Sequence, residues 1–127
     1  MSFSVEIAAN MRRAEEALQA AKQLFATGLL NDSASRSYYS AFYTVTALLL
    51  SKEKQFGSHT GVMRAFGLFF VKSGEVEREF GKGLHWLAEL RSVGDYGETR
   101  RLKKDEAKLG VQIAKSLIHK ARELLES

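Results

Sequence analysis

One polar stretch, "ELRSVGDYGETRR" at positions 89–101, separates two runs of regularly spaced apolar residues. Within it, Arg91, Ser92, Asp95 and Tyr96 supply a guanidinium, a hydroxyl, a carboxylate and a phenol close together. A guanidinium suits a phosphate because it can donate two parallel N–H bonds to it. A cation, a glycine and an aspartate also suit the end of a helix. The residues alone are therefore compatible with two interpretations of this stretch, an anion-binding site and the end of a helix.

The densest group of basic residues in the chain follows directly. Its members are Arg100, Arg101, Lys103 and Lys104. Lys103 and Lys104 stand at or near a predicted helix start, where the helix dipole disfavours cations. Asp105 and Glu106 offset that effect, yet the cluster is larger than helix formation requires. It predicts a phosphate-bearing partner, with a merely solvated face as the alternative.

The three histidines lie far apart in the sequence. His59 begins a predicted helix, where it suits either the geometry of a helix start or a ligand contact, and we include it among the candidate binding residues. The chain has no cysteine and no H-x-x-x-H pair, so we predict no metal site. No nucleotide-binding glycine loop or other cofactor motif is present, so we expect no cofactor.

The elements that must position these residues are predicted to be helices. The 127 residues contain no proline, and apolar residues recur every three or four positions in five segments. The short connections predict an all-α, antiparallel bundle of four long helices with one extra short helix, in a single domain spanning 1–127. Tyr38 and Tyr39 are interpreted as lying at the edge of its core.

Several helix boundaries follow from capping residues and glycines. Ser58 or Thr60 is expected to begin the third helix. The fourth is expected from about 76 to 91, with Gly94 as a natural stop. The second helix is expected to be capped by one of three polar residues, namely Asn31, Asp32 or Ser33. Two glycines, Gly81 and Gly83, are expected to fray or delay the start of the fourth helix.

The bulk properties exclude some classes of protein. No apolar run approaches the ~20 residues needed to span a bilayer, and the N-terminal sequence does not resemble a secretory signal. We therefore expect a cytoplasmic protein with no membrane partner. The net charge of +4 is compatible with an anionic partner but does not identify one.

Three consecutive stretches carry a resemblance to a known family: "SRSYYSAFYTVTALLL", "SHTGVMRAFGLFFVKSGE" and "FGKGLHWLAELRSVGDYG". Together they resemble the HEPN domain family, most closely a small branch with an R-x-x-x-D-Y signature, over essentially the whole chain. The resemblance implies a homodimer, often encoded beside a minimal nucleotidyltransferase in a toxin–antitoxin pair. Active members are metal-independent RNases that use R-x(4–6)-H near the dimer cleft.

This chain departs from that motif, because the positions at which R-x(4–6)-H places the histidine after Arg91 hold Tyr96, Gly97 and Glu98, and Asp95 directly precedes them. A free aspartate or tyrosine titrates far from neutral pH, so Asp95 could act as a base only with a strongly raised pKa. The resemblance therefore implies that Arg91 binds RNA or nucleotide phosphate, with weak or absent RNase activity.

Two alternatives remain open. One is a divergent RNase in which Arg91 and Asp95 are catalytic, and the other is a non-catalytic helical scaffold. Arg78 and His85 match the RNase spacing literally, but they lie before the aligned position and about 10 Å apart along a helix axis. We interpret that match as coincidence.

The resemblance also makes Tyr96 a candidate acceptor of AMP from the partner enzyme. The full set of candidate RNA- or nucleotide-binding residues is Arg91, Ser92, Tyr96, Arg100, Arg101, Lys103, Lys104 and His59.

Overall fold

The computed structural model describes residues 3–96 and 100–126. Over these residues the chain forms α1 (Ser4–Ala26), α2 (Leu30–Ser51), α3 (His59–Phe66), α4 (Arg78–Tyr96) and α5 (Lys104–Glu126). A π-helical turn, Gly67–Val71, continues α3. Four long helices with one short helix confirm the predicted fold class. Among the described helices, none combines the length and the hydropathy needed to cross a membrane.

The second helix, α2, lies at the centre of the bundle and contacts each of the other four helices. Twelve of its 22 residues are buried. Its face toward α1 carries small polar residues, and the hydroxyls of Ser33 and Ser40 each donate a 2.8 Å hydrogen bond to a main-chain carbonyl of α1, at Ala21 and Ala14. These bonds satisfy two buried hydroxyls, so the two helices can pack closely.

The main core lies on the other sides of α2, between α3, α4 and α5. Leu84 and Leu87 of α4 are buried there, and Leu90 is buried beside Ala34. Each such side chain contributes roughly 1.5–3 kcal/mol by leaving water. Tyr38 is buried further than an edge position, with 1% of its surface exposed, whereas Tyr39 is half-buried.

The start of α3 follows the prediction, but the start of α2 does not. Ser58 caps α3, its hydroxyl accepting a 3.0 Å bond from the amide of Gly61. No side chain caps α2, which begins at Leu30. The side chain of Asn31 instead accepts from the amide of Leu102 at 3.0 Å and donates to the carbonyl of Arg100 at 3.3 Å. The polar group expected as a cap therefore holds the chain ahead of α5.

The expected end of α4 was wrong, and so was the expectation that Gly81 and Gly83 would fray or delay its start. The helix begins at Arg78, ahead of Gly81 and Gly83, and it continues through Gly94 to Tyr96. A Cβ at position 94 would lie 2.7 Å from the main-chain oxygen of Asn31, and one at position 83 would lie 3.0 Å from Ile113. Both glycines are thus explained by close packing inside the helix.

We expect Gly94→Ala to lower the free energy of unfolding by about 1–3 kcal/mol, because the added methyl group meets a backbone atom that cannot move alone. Gly67→Ala is the matched control, since position 67 has helical dihedrals and open space around an added Cβ. That variant should be neutral or stabilised by up to ~1 kcal/mol. Urea denaturation measures both, and equal stabilities would contradict the packing argument.

Candidate functional site

Arg91 extends from α4 toward α2 and is held by two side chains. Its Nε donates to Asp95 Oδ2 at 2.9 Å, one turn further along α4, and its Nη2 donates to Tyr39 Oη at 2.9 Å. The guanidinium carbon lies 5.3 Å from the ring centroids of both Tyr38 and Tyr39. The Arg91 side chain is 24% exposed. These contacts fix a cation at the protein surface, with part of its surface accessible to solvent.

His59, the first residue of α3, lies against the same tyrosines. Its Nδ1 is 2.8 Å from Tyr38 Oη, and its ring stacks on Phe42 with centroids 4.1 Å apart. The ring also meets Tyr39 edge-on, at a centroid distance of 5.9 Å. The structure therefore brings His59 and Arg91 onto one aromatic group, which consists of Tyr38, Tyr39 and Phe42.

The sequence of α2 explains how this aromatic group forms. Tyr38 and Phe42 are four residues apart, so they share one face and stack at 6.1 Å. Tyr39 is turned about 100° from Tyr38, and the two rings meet edge-to-face at 5.3 Å. This angle lets the buried Tyr38 contact His59 while the half-buried Tyr39 bonds Arg91.

The electrostatics favour neutral forms of both His59 and Tyr38 at neutral pH. Burial lowers the pKa of His59 below its ordinary value, and the positive charge of Arg91 lowers it further. Burial raises the pKa of Tyr38. The charge of Arg91 lowers that pKa and the neighbouring Tyr39 raises it, but burial is the largest effect. His59 can therefore accept a proton at neutral pH, while Tyr38 keeps its own.

Two further arginines extend the site across the surface of α1 and α2. Arg36 lies 5.0 Å from the ring centroid of Tyr39, and Arg13 lies 4.6 Å from that of Tyr43. The two tyrosine rings are 6.3 Å apart. We call this the Arg–Tyr surface, and its members are Arg13, Arg36, Tyr39, Tyr43 and Arg91. It presents three arginine side chains against two half-buried tyrosine rings.

Sequence reasoning missed the Arg–Tyr surface. Arg36, Tyr39 and Tyr43 stand at positions i, i+3 and i+7, which is the spacing of one helix face. That pattern was a usable signal, but Tyr39 was interpreted only as lying at the edge of the core, and Tyr43 was not considered. Arg13 belongs to another helix, and no spacing in the sequence connects it with Tyr43.

The residues predicted around Arg91 are only partly brought together. Arg91 and Asp95 form the expected ion pair, and His59 joins them from α3. Ser92 is exposed on α4. Tyr96 ends α4, but its side chain lies outside the described part of the structure, as do Gly97 and Glu98 entirely.

The basic cluster is organised by the start of α5. Glu106 Oε1 accepts from the amide of Lys103 at 2.8 Å, as the third residue of a helix does in a capping box. Its other oxygen pairs with Arg100 at 2.7 Å. Arg101, Lys103 and Lys104 are exposed. Helix capping thus accounts for the position of Arg100, and three further cations remain at the surface.

Within the two described ranges, no group of three or more histidine, aspartate or glutamate side chains is arranged to hold a metal ion. Arg78 and His85, the coincidental match to the RNase spacing, are both exposed on α4.

Comparison with known proteins places the chain among helical relatives. The family model described as "HEPN domain" matches residues 7–124. A "UPF0332 protein" of Thermotoga maritima is 39% identical over 115 residues, covering 91% of this chain and 87% of the relative. A protein of Methanocaldococcus jannaschii named "Putative toxin" is 36% identical over 121 residues, covering 95% of this chain and 90% of the relative.

One solved structure shares the fold. The crystal structure of TT1696 from Thermus thermophilus superimposes with a TM-score of 0.79, covering 97% of this chain and 98% of that one. The two sequences are 12% identical, so this likeness concerns the fold alone.

The lowered pKa of His59 predicts a dependence of stability on pH. Between the folded pKa and the unfolded value near 6.5, the unfolded chain binds more protons. The contribution of His59 therefore leaves the free energy of unfolding unchanged above about pH 7.5. It lowers that free energy as the pH falls through about 6.5.

Urea denaturation measures the free energy of unfolding of wild type and His59→Gln. Between about pH 7.5 and pH 5 it should fall further in wild type than in His59→Gln, because the variant lacks the imidazole. His85→Gln is the control, because His85 lies on the surface of α4, and it should keep the wild-type slope. A His59→Gln slope equal to that of wild type would contradict the assignment.

Proposed function

This chain belongs to the HEPN domain family, and we propose that it is a toxin-like member whose Arg91 site binds a phosphate group of single-stranded RNA. The main support for the proposal is the position of Arg91. Its guanidinium donates hydrogen bonds to Tyr39 and Asp95 and lies near His59 at the protein surface.

Phosphate fits this position for a physical reason. A guanidinium has five N–H donors in a rigid fork, and its bonds to phosphate are charge-assisted. Arg91 is held in place before any ligand arrives, so less side-chain entropy is lost on binding. The partly buried setting also strengthens its attraction for an anion.

The Arg–Tyr surface supports single-stranded RNA over a free phosphate. Proteins that bind single strands combine cations that follow the backbone with aromatic rings on which bases stack. Arg36 beside Tyr39 and Arg13 beside Tyr43 provide both kinds of group in two neighbouring pairs. The exposed cations at the start of α5 offer further contacts with the backbone.

The proposal includes partners. Two relatives in Methanocaldococcus jannaschii carry the name "Putative toxin", the second being 31% identical over 127 residues. We propose that this chain forms a cytoplasmic homodimer. We also propose that a minimal nucleotidyltransferase inhibits its toxin-like activity. Transfer of AMP to Tyr96 would place a new phosphate and a nucleoside on the helix that carries Arg91.

We expect Arg91→Ala to weaken binding of single-stranded RNA about tenfold to a hundredfold, because charged hydrogen bonds contribute about 1.5–3 kcal/mol. The slope of log K against log salt should also fall in magnitude by about 1. Fluorescence anisotropy at several salt concentrations measures both. Arg78→Ala removes an exposed arginine from the same helix and should change little. Equal losses in the two variants would show only a general charge effect.

AMP transfer is tested separately by incubating the protein with a minimal nucleotidyltransferase and ATP. Mass spectrometry of the intact protein should show one AMP adduct on the wild type and none on Tyr96→Phe. Tyr43→Phe is the control and should still be modified. An adduct that persists in Tyr96→Phe would remove Tyr96 from the proposal.

A further inference from the structure

We infer that His59 is the proton-transferring residue of the Arg91 site, reaching it from the start of α3 rather than from the segment after Arg91. The inference rests on the proposed binding of RNA at Arg91 and on the metal-independent RNase chemistry of active HEPN members, and what it adds is the position of the histidine in this chain. It also revises the expectation of weak or absent RNase activity, which followed only from the missing histidine after Arg91.

The first support is the shared geometry of the two residues. Arg91 lies over the ring of Tyr38 at 5.3 Å, and the hydroxyl of the same tyrosine is 2.8 Å from His59 Nδ1. Tyr39 bonds Arg91 and also meets the His59 ring. A phosphate held by Arg91 would therefore have an imidazole beside it, although α3 and α4 are separate elements of the chain.

The second support is the orientation of the imidazole. Stacking on Phe42 fixes the plane of the ring, and Tyr38 occupies Nδ1. When Nδ1–H donates to Tyr38 Oη, the lone pair of the neutral ring is on Nε2. The proposed role requires this tautomer, in which Nε2 is the nitrogen that accepts a proton from the substrate.

The third support is the protonation state. The groups that face His59 are Tyr38 and Tyr39 from α2 and Arg91, paired with Asp95, from α4. Burial and the Arg91 charge both lower the pKa of His59, so the neutral base is the main form near pH 7. Asp95 is a poorer base here, because its carboxylate already accepts from Arg91 Nε at 2.9 Å.

The reaction balances without a metal or a co-reactant. Nε2 of His59 accepts the proton of an RNA 2′-hydroxyl, and the 2′-oxygen forms a bond to the adjacent phosphorus. The bond between phosphorus and the 5′-oxygen breaks, and that oxygen receives the proton from the His59 imidazolium, directly or through water. The products are a 2′,3′-cyclic phosphate and a 5′-hydroxyl, while Arg91 stabilises the charge that develops on the phosphate oxygens.

The decisive experiment separates binding from cleavage. Wild-type protein is incubated with a mixed-sequence single-stranded RNA in EDTA, and its binding is measured on the same sequence with 2′-O-methyl groups, which lacks the reacting proton. Wild type should bind the methylated strand and should cleave the unmodified one to a 2′,3′-cyclic end. His59→Gln should still bind the methylated strand and should cleave the unmodified one at least about a hundredfold more slowly.

The matched control is His85→Gln, which changes an exposed histidine on the helix that carries Arg91 and should cleave at the wild-type rate. His59→Ala adds a readout that a structural role would not give, because added imidazole should restore part of its activity. If the His59 variants fail to fold, the wild-type rate should still rise with pH through a pKa below 6.5.

The outcomes distinguish the two proposals. If wild type fails to bind the methylated strand, the proposed function itself is wrong. If wild type binds but does not cleave, or if His59→Gln cleaves at the wild-type rate, binding stands and the role of His59 is overturned.

Discussion

The close contact between α1 and α2 is the constraint on which the remaining packing depends. The hydroxyls of Ser33 and Ser40 bond directly to main-chain carbonyls of α1, so one side of α2 is covered without a layer of large side chains. The other sides of α2 are then covered by α3, α4 and α5. Tyr38 and Tyr39 are the residues through which this central helix meets both His59 and Arg91.

The fold class was predictable because it follows from local regularities. Apolar spacing and the absence of proline indicated the helices, and the capping hydroxyl of Ser58 marked the start of α3. The errors came from residues whose roles depend on distant partners. Gly94 looks like a helix stop, but it lies inside α4 because the backbone of Asn31 passes so near. Asn31 likewise looks like a cap, and instead it holds the chain before α5.

The candidate site was predictable only where its members share a helix. Arg91 and Asp95 are four residues apart, so their pairing could be expected from spacing alone. The contact of His59 with Tyr38 depends on how α3 crosses α2, which no local pattern records. The same holds for Arg13 against Tyr43, because these two residues belong to different helices. Their proximity is a property of the assembled bundle rather than of any one segment.

The short length of α3 gives the two parts of the site different local stabilities. Even with its π-helical continuation to Val71, α3 is short and depends on its docking, whereas Arg91 is carried by a helix of 19 residues that packs along α2. Local opening of α3 would cost less free energy than global unfolding, and it would withdraw the imidazole while the guanidinium stays on Tyr39. Amide exchange near α3 and the proposed cleavage of RNA would then depend on the same equilibrium, so any contact that stabilises or destabilises α3 would change both.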